Sequence, residues 1–210
     1  MSQNSKVRSR LIVSLDGYAA GPRQSRENPF GEGGMRLPQW QLESGRPGRE
    51  GDARVLADSV ENVGAYVMGR NMFGPVRGAW ETYSEGEWRG WWGEEPPYHA
   101  PVFVLTHHPR ESLTMSGGTT FHFVTEGIEA AVQQAREAAG DRDVVVAGGA
   151  HTVRSALAAR LIDEITLHVV PLVLGEGERL LEGLDGLALE PLDTVSSPTV
   201  THLRYGVPKV

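Results

Sequence analysis

Three short stretches of this chain combine a closely approachable backbone with cationic or hydrogen-bonding side chains, and each follows an apolar run. Val144-Val145-Val146-Ala147 is wholly apolar and leads into Gly148-Gly149-Ala150-His151-Thr152 at the head of a helical pattern. Two glycines let a ligand come close to the main chain, and the free N–H groups at the start of a helix suit a pyrophosphate. Val67-Met68-Gly69-Arg70-Asn71-Met72 repeats the layout with a guanidinium that can grip a phosphate through two parallel hydrogen bonds. Thr106-His107-His108-Pro109-Arg110 gathers positive and protonatable donors in a chain of net charge −7, a setting that would use a group such as a 2′-phosphate. Tight strand-to-helix turns and solvated loops are the plainer readings of the same residues. All three stretches lie just past the carboxyl end of an expected strand, where open α/β sheets bind their ligands.

Other chemistries are excluded by spacing. No G-x-S-x-G nucleophile elbow is present. Gly69 to Gly74 has the glycine spacing of a phosphate-binding Walker loop, but Pro75-Val76 stands where Lys-Ser or Lys-Thr is required. The histidines form no H-E-x-x-H, and His107 and His108 are adjacent, so a regular strand would point them to opposite faces; no metal is expected. There is no G-x-G-x-x-G. The absence of cysteine removes disulfides, thiolate metal sites and a cysteine nucleophile, and fits a reducing compartment. Met1 to Arg10 has no signal-peptide core, and no run reaches the ~18 apolar residues of a membrane span, so a cytoplasmic protein is expected. With 27 acidic against 20 basic residues, neither nucleic acid nor an anionic membrane is an expected partner.

The elements that must position these stretches read as one α/β domain over residues 10–210, behind a disordered N-terminus of residues 1–9. Strands are expected at residues 11–15, 65–68, 102–105, 119–124, 144–147 and 165–174. Residues 187–195 and 199–206 read as a closing antiparallel pair. Asp52 reads as the N-cap of a helix ending at Gly64. Ile128, Ala131, Val132, Ala135 and Ala138 mark a second helix that stops at Gly140, and Val153, Ala156, Leu157 and Leu161 a third.

Glycine and proline make up 39 of the 210 residues, about 19% against roughly 12% in average usage. Residues 17–52 and 69–101 hold much of the excess and every tryptophan: Trp40, Trp80, Trp88, Trp91 and Trp92. Disordered linkers are poor in aromatics, so these stretches read as ordered loops, either pinned to the surface or walling a cleft.

The ordered set Ser14-Leu15-Asp16-Gly17-Tyr18-Ala19-Ala20-Gly21-Pro22, Met68 to Phe73, Val102 to Arg110, Gly117 to Val124, Ala147 to Ala150 and Leu161 to Gly175 resembles the dihydrofolate-reductase-like family. It is most similar to the bacterial branch related to the C-terminal reductase domain of the riboflavin-biosynthesis deaminase/reductase. The resemblance implies a three-layer fold with a central, mostly parallel mixed sheet, antiparallel C-terminal strands and helices on both faces. It also implies NADPH as cofactor and hydride transfer to a small heterocycle, as in 5-amino-6-(5-phosphoribosylamino)uracil reductase.

Carried over by motif, Gly69, Arg70, Asn71 and Met72 would lie against the cofactor phosphates, and Thr106, His107 and Arg110 near the 2′-phosphate. Gly148, Gly149, Ala150, His151 and Thr152 would cradle the pyrophosphate, and Ala19 would border the nicotinamide. Ala20, Gly21, Trp40 and Phe73 are placed on the substrate side. Asp16 and Glu43 are the favoured proton donors, with Glu81 and Tyr83 the other candidates. The riboflavin reductases carry an Asp pair after the second strand where this chain has Asn71-Met72-Phe73-Gly74-Pro75. The Pro-Trp of dihydrofolate reductases is here interrupted as Pro38-Gln39-Trp40. A ligand-binding protein without turnover, which the missing Asp pair favours, is one alternative and a dihydrofolate reductase another, and a homodimer is expected.

Overall fold

The computed structural model describes residues 5–75, 78–82 and 87–209. Nine strands form one sheet, whose first member β1 (Val7–Ser14) lies between β7 (Asp143–Gly148) and β8 (Glu164–Val170) and is parallel to both. On the other side of β7 follow β3 (Val63–Gly69), β4 (Pro101–Leu105) and β6 (Thr120–Val124), all parallel, with β5 (Leu113–Thr114) antiparallel at the edge. Beyond β8 the sheet closes with the antiparallel β11 (Thr201–Gly206) and β10 (Glu190–Ser196). The short β2 (Tyr18–Ala20) and β9 (Glu178–Arg179) form a separate antiparallel pair.

The apolar run 144–147 is the middle strand of the nine, and its alternate residues enter different cores. Val144 and Val146 join a core that includes residues of α4 (Ile128–Ala139) and α5 (Ala150–Ala158). Val145 joins Tyr66, Met68, Val102, Val104 and Phe121 on the opposite face, which the loops between β3 and β4 cover. The period-2 alternation of a strand produces this division, and a strand covered on both faces has no polar position. α4 ends where Gly140 takes a left-handed φ of 62°, as the glycine stop signal predicts.

Several details differ from the sequence reading: the helix expected to end at Gly64 ends at Asp58, and β8 ends at Val170 rather than at residue 174. β1 begins at Val7 rather than near residue 10, so residues 7–9 belong to the sheet and not to a disordered tail. Arg8 and Arg10 obscure the strand in the sequence, yet they alternate with Val7, Ser9 and Leu11 and face the opposite side. α2 (Glu50–Asp58) begins before Asp52, which lies inside the helix with its side chain wholly buried and caps nothing. A one-turn helix, α1 (Gln39–Glu43), and the short α3 (Arg70–Phe73) form within stretches read only as loops.

Candidate functional site

The three strand-end stretches converge because β7, β3 and β4 are neighbours. Met68 pairs with Gly148, and Gly69 pairs with Leu105, so the carboxyl ends of these strands form one continuous ledge. The first turn of α5 starts from that ledge at Gly149. Its first intrahelical bond runs from Val153 N–H to the Gly149 carbonyl, so the N–H groups of Ala150, His151 and Thr152 precede the helical ladder.

Gly69 packs against this turn so tightly that a Cβ there would sit 2.4 Å from Thr152 Oγ1. A Cβ on Gly149, by contrast, would meet nothing within 4 Å. The Gly148–Gly149 peptide is cis. Open space in front of unpaired helical N–H groups fits the diphosphate of a dinucleotide, and the positive end of the helix dipole favours it.

Arg70 starts α3 at the end of β3, and its Nη1 donates to Thr106 Oγ1 (3.1 Å) at the end of β4. The Arg70 guanidinium lies 3.3 Å from the centre of the Trp80 ring. Trp80 Nε1 in turn donates to the His108 carbonyl (2.8 Å), and His108 N–H donates back to Thr106 Oγ1 (3.1 Å). Thr106, Arg70, Trp80 and His108 therefore form one connected rim beside the α5 turn. His107 and Asn71 are exposed on it, and Met72 is half-buried. The Met72 sulfur is the nearest atom to a Cβ placed on Gly148, at 3.3 Å.

Several expected site residues have other work. Arg110 donates to the Trp88 carbonyl (2.7 Å) and to Glu87 (2.7 Å), and its guanidinium lies against Trp80 and Phe123. It pins the tryptophan-bearing loop. Phe73 is 2% exposed and meets Trp80, Phe121 and Phe123 edge to face, which makes it core rather than cleft wall. Ala20 is buried, and a Cβ on Gly21 would lie 2.0 Å from the Glu32 carbonyl oxygen, so neither presents a surface to substrate. Ala19 packs at the margin of the core that α5 enters. Trp40 is buried against His168 and His202, with ring centres 5.1 and 4.9 Å apart, and is an anchor for α1.

The favoured proton donors are also committed elsewhere. Asp16 accepts from Ser14 Oγ (2.6 Å), Leu174 N–H (3.1 Å) and Gly175 N–H (2.7 Å). These donors, the Ser14 hydroxyl first, hold its carboxyl down to about 2, so it is a structural carboxylate and no acid at neutral pH. Glu43 accepts from Arg46 (3.3 Å) and Arg49 (3.4 Å), and Arg49 continues to Thr199 Oγ1 (2.6 Å) in the turn before β11. That carboxylate ties α1 to the β10–β11 turn. Glu81 is exposed in a 3-10 turn, and Tyr83 lies outside the described residues.

The sequence reading missed a buried polar chain on the α2 face. Asp52 Oδ1 lies 3.0 Å from His202 Nε2, and His202 Nδ1 lies 2.7 Å from His168 Nδ1. Burial, reinforced by His202 and Arg10, pushes the His168 pKa down to about 3, so this ring is neutral at physiological pH. A polar residue at an inward strand position was the available signal, in Thr166-Leu167-His168 and Thr201-His202-Leu203. Among the described residues no group of three His, Asp or Glu side chains is placed to hold a metal ion, and no helix is long and apolar enough to cross a membrane.

No curated protein matches this sequence. Among solved structures the chain is similar to a protein of Shewanella sp. PV-4 named as a riboflavin biosynthesis protein. That match has a TM-score of 0.65 and 21% identity over 97% of this chain and 99% of the other. It also matches the deaminase/5-amino-6-(5-phosphoribosylamino)uracil reductase of Thermotoga maritima (TM-score 0.59, 13% identity), covering 98% of this chain but 57% of that larger protein. A dihydrofolate reductase of Enterococcus faecalis, solved with NADP(H), matches over 97% of both chains (TM-score 0.54, 12% identity). These likenesses show the dihydrofolate-reductase-like fold. The model of the RibD C-terminal domain matches residues 5–203, so the chain belongs to the RibD C-terminal domain family.

Proposed function

We propose that this protein is an NADPH-dependent reductase that delivers hydride to a small heterocyclic substrate. The observation that carries the reading is the meeting of the Gly69–Thr152 contact, the open Gly149 turn and the Arg70–Thr106 pair on one sheet edge. In this reading the N–H groups of Ala150, His151 and Thr152 hold the pyrophosphate, with Gly148 and Gly149 letting it approach. Arg70, Asn71 and Met72 flank the phosphates, Thr106 and the exposed His107 face the 2′-phosphate, and Ala19 borders the nicotinamide. The bound cofactor supplies the hydride, while the chain orients it and keeps water away. The substrate belongs on the open side of the ledge, beneath the tryptophan-bearing loop.

The position of the acids favours a second reading, a nucleotide-binding protein without turnover. Asp16 and Glu43, the two acids nearest in sequence to the substrate-side motifs, are both bound to other groups. Titration with NADPH, followed by quenching of the tryptophans, tests the cradle on which both readings rest, and an oxidation assay separates them. Saturable quenching below about millimolar NADPH supports the cradle, and its absence sinks both. Binding with no NADPH oxidation over a panel of pterins, pyrimidines and quinonoid heterocycles leaves only the second. A homodimer built on the β8–β11 side goes with the first reading, and a sedimentation mass equal to one 22.8 kDa chain contradicts it.

A further inference from the structure

Beneath α2, on the sheet face away from α4 and α5, lies a cavity of about 390 Å³. This is within the range of small-molecule sites and larger than one phosphate group needs. The buried and half-buried part of its wall includes Arg10 of β1, Val145 of β7, and Glu164, Thr166 and His168 of β8, the Glu164 carboxylate being paired with Lys6 and Arg204. Its rim carries exposed charges of both signs, with Arg54 and Arg204 against Asp58, Glu61 and Asp193.

Arg10 is the unusual member. The two other arginines on the strands of this wall have carboxylates, Arg8 meeting Asp143 at 3.0 Å and Arg204 meeting Glu164 at 2.7 Å, while Arg54 on α2 is exposed. Arg10 donates Nη1 to the Ser59 hydroxyl and has no carboxylate within 4.0 Å among the described residues. The groups facing it are the Tyr66 and Tyr98 phenols, the Arg8 guanidinium and the His168 ring. Burial lowers its pKa from the ordinary value, but an arginine remains charged. A partly buried cation with no counter-ion, facing a cavity, is stabilised by an incoming anion.

His168 supplies a matching donor. Its Nδ1 is engaged with His202, which leaves Nε2 without a hydrogen-bond partner among the described residues on a ring that lines the cavity. A single proton occupies the 2.7 Å gap between the two Nδ1 atoms. When His202 donates it, His168 must carry its own proton on Nε2 and becomes a donor toward the cavity. On its other side His202 Nε2 lies 3.0 Å from the wholly buried Asp52 Oδ1, which fixes the orientation of the ring.

We propose that this cavity binds a small molecule bearing a carboxylate or phosphate, whose oxyanion is held by Arg10, the Thr166 hydroxyl and His168 Nε2–H. The site is separate from the α5 cradle and does not depend on cofactor binding. The test is long-range proton–nitrogen NMR of the full ¹⁵N-labelled chain without nicotinamide cofactor, titrated with inorganic phosphate, with citrate, and with sodium chloride at matched ionic strength. Phosphate at the α5 cradle would leave the His168 nitrogens unmoved, so the two sites are read separately.

A saturable His168 Nε2 shift below about 20 mM phosphate or citrate, with none in chloride, is the expected result. The stronger of the two responses assigns the ligand's anionic group. Arg10→Gln should weaken binding about tenfold or more, and Arg54→Gln on the rim should leave it within about threefold. No saturable shift with either anion, or an undiminished response in Arg10→Gln, overturns the proposal. Where Arg10→Gln fails to give a folded spectrum, Thr166→Val takes its place, and unchanged anion binding in that variant overturns it equally.

Discussion

Gly69 at the end of β3 and Thr152 in the first turn of α5 touch so closely that a methyl group at residue 69 would lie 2.4 Å from the Thr152 hydroxyl oxygen. Gly69→Ala must turn the Thr152 hydroxyl out of its place or push α5 away from the strand ledge. The expected loss is about 1–3 kcal/mol of stability, typical of overpacking. Chemical denaturation of Gly69→Ala and of Gly69→Ala/Thr152→Ala checks it. The double variant should recover most of the loss, and additive losses would mean the contact is not the cause.

Arg110 and His107 lie three residues apart and should behave differently. Arg110→Ala removes two hydrogen bonds and the guanidinium packed on Trp80 and Phe123, so a loss of about 2 kcal/mol is expected with little change in the preference for NADPH over NADH. His107→Ala touches no packed surface and should leave stability within about 0.5 kcal/mol. It should instead lower the NADPH preference. Paired dissociation constants for the two cofactors, measured alongside urea midpoints, would expose the reverse pattern if it exists.

Acid should destabilise the protein well above the carboxylate range. The His168 pKa is about 3 in the folded chain and near 6.5 when unfolded, so the unfolded state binds the extra proton first. That contribution is complete above pH 6.5 and fades as pH falls toward 3. Its limiting slope for one proton is about 1.4 kcal/mol per pH unit. In His168→Gln the stability curve between pH 6 and 4 should be flatter than in the parent, and a parallel curve would assign the slope to other groups.

Asp16 is expected to act through the loop it binds. Asp16→Asn cannot accept from Ser14, Leu174 and Gly175 as an anion, so the melting temperature should fall at neutral pH. Because its folded pKa is depressed to about 2, the difference between parent and variant should shrink as pH drops below 3.8. Any NADPH-dependent turnover should survive the substitution. A variant of parental stability with no turnover would restore Asp16 as the acid.

The central strand and its glycine pair were legible because a strand buried on both faces has nothing but apolar residues, and only a turn explains Gly148-Gly149 after it. α4 was legible from its spacing and from Gly140. What escaped depended on partners distant in the chain. Asp52 precedes an apolar pattern as an N-cap does, but its partner is His202 on the last strand, and the helix already starts at Glu50. Asp16 and Glu43 read as available acids because the backbone of Leu174 and Gly175, and the turn that Arg49 reaches, are invisible from their own neighbourhoods. Arg110 looked like an anion ligand because its flat face and its two acceptors become apparent only once the loop is folded over it.

The placement of β1 also sets a schedule for synthesis. Val7 to Ser9 pair with Val144 to Val146, and the strand's other neighbour spans Glu164 to Val170. β1 is therefore left without either neighbour until some 140 further residues have been translated, on the order of ten seconds at ribosomal speed. Through that interval Leu11, Ile12 and Val13 sit on a nascent chain as an unpaired β-forming segment, the kind of surface that chaperones shield. Variants that slow completion of β7 or β8 should consequently show their damage as poor soluble yield, even where the finished molecule is as stable as its parent.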